Sequence, residues 1–168
     1  MAGRAPLPLL LLPLMAAVSS PAAAVTQNAA VNANVIRPLT LTSLQDLDLG
    51  TITLKLGSWS GATVGISRTS VFTCNANVVC TGAPQVARYK VTGTNKMVVR
   101  ITAPNVTLVN QNDSTKTLTL ALDNPGTVTL TSSGEPGNNF DLGGSLTLTS
   151  PTAPGLYSGT LAVTVDYQ

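Results

Sequence analysis

Cys74 and Cys80 are the two cysteines of the chain, and the sequence CNANVVC places five residues between them. Two thiols in a short loop between strand-like runs form a disulfide when the protein folds in an oxidising compartment. A zinc site would need a full set of Cys and His ligands, and the chain contains no histidine. A thioredoxin-type redox pair has closer spacing. The spacing therefore predicts a structural Cys74–Cys80 disulfide.

The residue types needed for nucleophilic catalysis are largely missing. Without histidine, neither a Ser-His-Asp nor a Cys-His arrangement can form within this chain. The segment GSWSG at 57–61 resembles a nucleophile elbow, but Trp59 occupies the position that the motif reserves for serine. We therefore predict a non-enzymatic protein that needs no cofactor. Trp59 is expected in a turn, where it packs on the core or caps a sheet edge, with contact to a sugar as the alternative role.

Charged residues give no indication of a metal or nucleic-acid site. Asp46 and Asp48 lie two residues apart in LQDLDLG and can share one strand face, but Ca²⁺ requires more oxygen ligands than this segment supplies. A solvated strand edge is the better interpretation, because negative charge there discourages unwanted strand pairing. The net charge is +2 and the few Lys and Arg residues are scattered. Binding to nucleic acid is therefore not expected.

The first 24 residues are typical of a secretory signal peptide. MAGRAPLPLLLLPLMAAVSSPAAA carries a positive charge at Arg4, then a leucine-rich run, then small residues that predict cleavage after Ala24. The apolar run is short for a membrane span, and a signal anchor is the alternative. No later segment is apolar enough to span a membrane. We therefore expect an exported mature chain beginning near Val25 and located in the periplasm, at the cell surface or outside the cell.

Alternation of apolar and polar residues runs through almost the whole mature chain and predicts strands. Turn-forming segments such as DNPG at 123–126 and SPTAPG at 150–155 separate these runs, and the LGGS segment at 142–145 predicts a bulge or turn. Threonine and valine, which favour pleated sheets, are abundant. Roughly ten short strands at this spacing predict an all-β, antiparallel, immunoglobulin-like β-sandwich. We expect one domain over residues 25–168.

The last fourteen residues, GLYSGTLAVTVDYQ at 155–168, predict a strand with one apolar face. That face is formed by Tyr157, Leu161, Val163, Val165 and Tyr167. With Gly155 at its start and a penultimate tyrosine, the segment resembles the C-terminal strand of chaperone–usher pilins. The resemblance implies a sandwich that lacks its last strand and leaves its core open along a groove.

The N-terminal extension over residues 25–36 resembles the donor strand of the same pilins. Its sequence VTQNAAVNANVI alternates, and Ala29, Val31, Ala33 and Val35 would be the inserted set. In such pilins the extension of one subunit fills the groove of the next by β-strand addition. The resemblance implies identical subunits, a periplasmic chaperone and an usher as partners.

Over most of the mature chain the sequence resembles a secreted bacterial family catalogued as domain of unknown function 4402. The segments that carry this resemblance are VIRPLTLTSLQDLDLGTI, ARYKVTGTNKMVVRITAP and FDLGGSLTLTSPTAPGLYSGTLAVTVDYQ. It implies a fimbrial-type or spore-coat-protein-U-like β-domain of Gram-negative bacteria, and it implies no activity.

Two hypotheses for function follow. In the first, the protein is an exported structural subunit that assembles by strand addition into a pilus or surface fibre. In the second, it is a self-complemented β-sandwich in which Ala29–Leu41 pairs in its own sheet, serving as a binding or cell-envelope module. A hydrolase with an unusual Ser/Lys or carboxylate site is a third, less favoured option.

Overall fold

The computed structural model describes residues 24–168, and these residues form strands, turns and irregular segments without a helix. The chain divides into two units, one ending at Asn34 and the other spanning Val35–Gln168. In the first unit, residues 24–34 are exposed and have no regular secondary structure. The predicted signal peptide lies outside the described residues, apart from Ala24. Among residues 24–168 there is no helix long and apolar enough to cross a membrane.

The second unit contains all the described strands. These are β1 (Thr40–Gln45), β2 (Thr51–Leu54), β3 (Ala62–Ile66), β4 (Phe72–Cys74), β5 (Val78–Thr81), β6 (Ala87–Thr92), β7 (Val98–Thr102), β8 (Val106–Asn110), β9 (Thr117–Asp123), β10 (Thr127–Thr129), β11 (Asn138–Leu148), β12 (Tyr157–Ser158) and β13 (Thr164–Tyr167). The first strand begins only at Thr40. The alternation in the N-terminal extension had suggested that strand structure would begin earlier.

The strands form antiparallel sheets, which confirms the prediction of an all-β antiparallel sandwich. The largest sheet has the order β1-β6-β11-β9-β8-β12, with β3 joined to β11 and β4 joined to β3. A second sheet has the order β10-β7-β13, and β2 pairs with β5 in a two-stranded sheet. Threonine-rich outer faces and apolar inner faces are the arrangement that a sandwich with solvated surfaces requires.

The longest strand, β11, organises the large sheet because it pairs with β6, β9 and β3 in succession. The glycines of LGGS lie inside this strand, so the prediction of a bulge or turn at 142–145 was wrong. A Cβ atom at Gly143 would collide with the backbone at Ile66 and Ser67. Glycine is therefore required at position 143 because another backbone approaches closely. Such an approach is one of the usual reasons for a glycine inside a strand.

The apolar core consists of two clusters. The first gathers side chains from β3, β8, β9 and the end of β11, with Ala62 and Val64 fully buried. The second lies between β6 and β11 on one side and β7 on the other, with Val91 and Val99 fully buried. Leu161 of the C-terminal segment packs against both clusters. The C-terminal segment therefore contributes to both clusters of the core.

The predicted Cys74–Cys80 disulfide is present in the structure. Cys74 ends β4, which pairs with β3 of the large sheet, and Cys80 lies in β5, which pairs with β2. The bond therefore ties the two-stranded β2–β5 sheet to the large sheet. A disulfide of this kind is compatible with an exported protein.

Replacing both cysteines, in the variant Cys74→Ser/Cys80→Ser, should destabilise the protein by about 2 kcal/mol, the loop-entropy value for so small a ring. Because the bond anchors β5, we expect the amides of β2 and β5 to lose hydrogen-exchange protection before those of β11. Urea unfolding and amide exchange measure the two effects. Equal loss of protection in β11 would show that the bond does not act locally.

Candidate functional site

The C-terminal segment, residues 155–168, crosses from one sheet to another. Tyr157 and Ser158 pair with β8 in the large sheet, whereas β13 pairs with β7 in the second sheet. Residues 159–163 belong to no ladder. The prediction of one continuous strand was therefore wrong, because the two sheets that the segment joins lie in different layers.

The alternation predicted for this segment is visible in the burial of its side chains. The predicted apolar residues are half-buried, and the residues between them are exposed. The half-buried set comprises Tyr157, Leu161, Val163, Val165 and Tyr167. The chain thus keeps one face towards the core while its hydrogen-bonding partner changes.

The start of the segment is fixed by Asn110, which is only 2% exposed. Its Nδ2 donates to the carbonyl oxygen of Pro154 at 3.0 Å, and its Oδ1 accepts from the amide of Asn112 at 2.9 Å. Gly155 adopts a φ of +146°, and a Cβ atom there would overlap the Asn110 side-chain amide. A glycine is therefore needed at position 155, because any side chain there would displace the buried Asn110 amide from its hydrogen bonds.

The variant Gly155→Ala should lose about 1–3 kcal/mol of unfolding free energy, because the methyl group displaces Asn110 and strains the backbone. Gly126→Ala is the matched control: Gly126 also has a positive φ, +73°, but no atom lies within 4 Å of a Cβ placed there. Chemical denaturation compares the two variants. Equal losses would mean that the contact with Asn110 carries no energy.

A groove of about 1050 Å³ opens beside the first half of the C-terminal segment. One flank is formed by residues 46–54 and the other by residues 152–161. The floor consists of apolar side chains that belong to or pack on the first core cluster, namely Val106, Leu108, Leu118, Leu120, Leu146 and Leu148. Leu108 and Leu118 are half-buried and the other four are buried, so the groove reaches down to the edge of the first core cluster.

Both flanks of the groove carry strand edges without a second neighbour among the described residues. The strand β2 pairs with β5 alone, and β12 pairs with β8 alone. An unpaired edge presents backbone N–H and C=O groups to any chain laid beside it. Apolar floor and free edges together are what an added β-strand requires, since its backbone pairs while alternate side chains point inward.

The polar and aromatic side chains that line the groove make local contacts. Asp46 and Asp48 are exposed at its rim, and the Asp48 carboxylate accepts from the Gly50 amide at 2.8 Å. Tyr89 stacks on Phe140 with ring centroids 5.7 Å apart, and burial raises the pKa of its hydroxyl. Within residues 24–168 no three Cys, Asp or Glu side chains lie close enough to hold a metal ion.

Trp59 lies outside the groove and packs, half-buried, against the first core cluster, in agreement with the prediction that it packs on the core. Its Nε1 donates to the Lys55 carbonyl oxygen at 3.0 Å. Its backbone carbonyl accepts from the Ser150 amide at 3.1 Å. The Trp59 backbone thus joins the loop at 55–61 to the segment that leads to the groove, while its indole bonds within the loop.

The far end of the C-terminal segment is held by a hydrogen-bonded cluster that we call the Tyr167 clamp, formed by Tyr167, Arg37 and Thr94. The Tyr167 hydroxyl donates to the Arg37 carbonyl oxygen at 2.7 Å and accepts from the Thr94 amide at 2.8 Å. The Arg37 amide donates to Thr94 Oγ1 at 2.7 Å. Gly93 leaves room for the hydroxyl, because a Cβ atom there would overlap it. Sequence reasoning singled out Tyr167 but missed Arg37 and Thr94, whose spacing gives no local signal.

We call residues 24–36, which precede the clamp, the arm. They are exposed and lie in no strand. Val31 and Val35 are 92% and 90% exposed. Valines this exposed have gained nothing from folding. The proposed insertion of Ala29, Val31, Ala33 and Val35 remains a prediction.

Fold and groove together define an all-β antiparallel sandwich with a groove beside a C-terminal segment that, among the described residues, is paired on one side alone. The family model described as Domain of unknown function (DUF4402) matches residues 39–167, and the chain belongs to this family. The matched range includes both flanks of the groove and the Tyr167 side of the clamp, but not the arm. Searches of curated proteins and of solved structures gave no match.

Proposed function

We propose that this protein is an exported, non-enzymatic structural subunit that assembles into a pilus or surface fibre by β-strand addition. The observation that carries the proposal is the groove, because its apolar floor and free strand edges suit one extended segment. The added segment is the arm of an identical subunit. Before assembly, a periplasmic chaperone would cover the exposed apolar surface and an usher would order the additions.

The arm has the pattern that such a groove selects. Ala29, Val31, Ala33 and Val35 recur with the period of two that places alternate side chains on one face of a strand. Burying a valine contributes about 1.5–3 kcal/mol, and alanine contributes less because it has less apolar surface. Val31 and Val35 would therefore supply most of the apolar energy, and the backbone hydrogen bonds would supply the remainder.

Export is supported by two independent features of the chain. The leader over residues 1–24 has the order of charge, apolar run and small residues that directs secretion. The Cys74–Cys80 disulfide is a bond that persists in oxidising compartments. Together they favour folding in an oxidising compartment outside the cytoplasm, such as the periplasm or the cell surface. The Gram-negative host follows only from the resemblance to chaperone–usher pilins and related fimbrial-type domains.

A self-complemented envelope module is the second candidate. The observation that favours it is the clamp, which starts the arm beside the C-terminal segment of its own subunit. In that case the protein would be a monomer whose arm amides resist hydrogen exchange. The two candidates thus share the groove and differ in which copy of the arm fills it.

Deleting residues 25–36 should abolish assembly while the domain remains folded, because the deleted residues lie outside all the strands. The truncated protein should then bind an added peptide of the sequence VTQNAAVNANVI. Electron microscopy and size-exclusion chromatography follow assembly, and calorimetry or fluorescence anisotropy follows peptide binding. A truncated protein that remains monomeric and stable but ignores the peptide would contradict strand addition.

Two substitutions in the peptide separate groove insertion from nonspecific association. Val31→Asp should weaken binding by about tenfold to a hundredfold, the equivalent of one lost valine burial. Asn32→Asp introduces the same charge on the opposite face and should bind within a few fold of the unmodified peptide. Equal weakening by both would indicate attraction by charge instead of insertion with period two.

A further inference from the structure

We infer that the Cys74–Cys80 disulfide is a redox-controlled latch on the groove. The oxidised bond holds the flank that contains β2 where it can receive a strand, and reduction releases that flank. This inference rests on the proposed function and adds how strand addition is regulated. Three observations carry it: the way each flank is held, the position of the bond in the β2–β5 sheet, and the exposure of Cys74.

The two flanks of the groove are held in different ways. The flank at residues 152–161 is hydrogen bonded to the large sheet, because β12 pairs with β8 and Asn110 donates to the Pro154 carbonyl oxygen at 3.0 Å. In the other flank β2 pairs with β5, and within residues 24–168 neither strand joins a ladder of the large sheet. This second flank therefore relies on side-chain packing, on its chain connections and on the disulfide.

The disulfide acts directly on the strand pair that lines the groove. Cys80 lies opposite Ile52 in the β2–β5 ladder, and Ile52 both lines the groove and packs against the first core cluster. Cys74 ends β4, where it pairs with the fully buried Val64 of β3. The bond thus connects a groove-lining position to a position fixed in the large sheet.

The bond is the second of two attachments of β5 to β4. Residues 75–77 form the first, a tight turn in which the Asn75 carbonyl oxygen accepts from the Val78 amide at 3.1 Å and the Asn75 Oδ1 accepts from the Asn77 amide at 3.0 Å. Two attachments fix the direction of a strand, whereas one leaves it free to pivot. Reduction at Cys80 thus converts β5, together with β2, into a flank hinged at the turn.

A reductant can reach this bond because Cys74 is exposed, while Cys80 is half-buried. A thiolate of a dithiol, either small or part of a thiol–disulfide oxidoreductase, attacks Cys74 Sγ, and Cys80 leaves as a thiolate that takes up a proton. The second thiol of the dithiol then attacks the mixed disulfide and releases Cys74 as a thiol. The two cysteines gain two electrons, and the dithiol becomes a disulfide.

Release of the flank weakens strand addition. In the oxidised protein an added strand meets a β2 edge that is already ordered, whereas in the reduced protein the strand must also order that edge. We expect the affinity to fall by about threefold to thirtyfold, the upper value corresponding to the full loop-entropy contribution of so small a ring. By linkage, a bound strand should make reduction less favourable by the same factor.

Sedimentation velocity of the full mature protein over a concentration series, with and without dithiothreitol, tests the inference. Reduction should raise the concentration at which half of the protein is assembled by about threefold to thirtyfold. The variant Cys74→Ser/Cys80→Ser is the matched control. It should assemble like the reduced protein in both conditions, because the chain contains no other cysteine for the dithiol to reduce.

Hydrogen exchange with mass spectrometry locates the effect within the domain. On reduction the amides of β2 and β5 should lose protection, because their flank is released. The amides of β12, on the opposite flank, and of β11, in the centre of the large sheet, should keep theirs. Loss of protection in β11 as well would mean that the bond stabilises the whole domain, and would overturn the latch.

The assembly measurement separates the latch from the proposed function. Equal assembly of oxidised and reduced protein, or tighter assembly after reduction, would overturn the latch and leave strand addition intact. A dithiol effect of the same size on Cys74→Ser/Cys80→Ser would also overturn it, because the effect would not come from this bond. An oxidised protein that remains monomeric at every concentration would overturn the proposed function together with the latch.

Discussion

The structure depends on a C-terminal segment that is hydrogen bonded on one side and packed on the core beneath, but has no strand on its other side within residues 24–168. In a sandwich, every strand edge and every apolar face must be covered by protein or exposed to water. Here Tyr157 to Leu161 lie at such an edge, and a groove beside them reaches down to apolar side chains of the first core cluster. The groove follows from this single unfilled position.

Two polar contacts hold the segment at its ends while the middle is left free. Asn110 fixes the chain at Gly155, and the Tyr167 hydroxyl fixes it at Arg37 and Thr94. Between them, residues 159–163 pass from one sheet to the other without joining a ladder. A segment anchored in this way keeps the groove in shape without a neighbour. The same hydrogen bond, from Tyr167 to the Arg37 carbonyl oxygen, also fixes the point from which the arm leaves the domain.

The sequence was sufficient for the fold class and for the disulfide, because period-two alternation and the spacing of Cys74 and Cys80 are local signals. It was insufficient where long-range contacts decide the outcome. The LGGS segment indicated a bulge or turn, yet its glycines lie inside β11, where Gly143 packs closely against the backbone at Ile66 and Ser67. The single C-terminal strand became β12 and β13, since no local pattern shows which sheet a strand joins. The Tyr167 clamp joins Tyr167 to Arg37, 130 positions away, and no local feature of the sequence indicates such a contact.

The central claim is that a strand from another copy occupies the groove. Solid-state NMR of assemblies grown from an equal mixture of ¹³C-labelled and ¹⁵N-labelled protein tests it most directly, because a ¹⁵N–¹³C contact between differently labelled copies can only be intermolecular. We predict such contacts between residues 29–35 of one copy and residues 155–161 of another. A second sample, uniformly labelled protein diluted in unlabelled protein, reports contacts within one copy. If the two segments show contacts in this diluted sample and none in the mixed sample, the strand comes from the same copy and the account is contradicted.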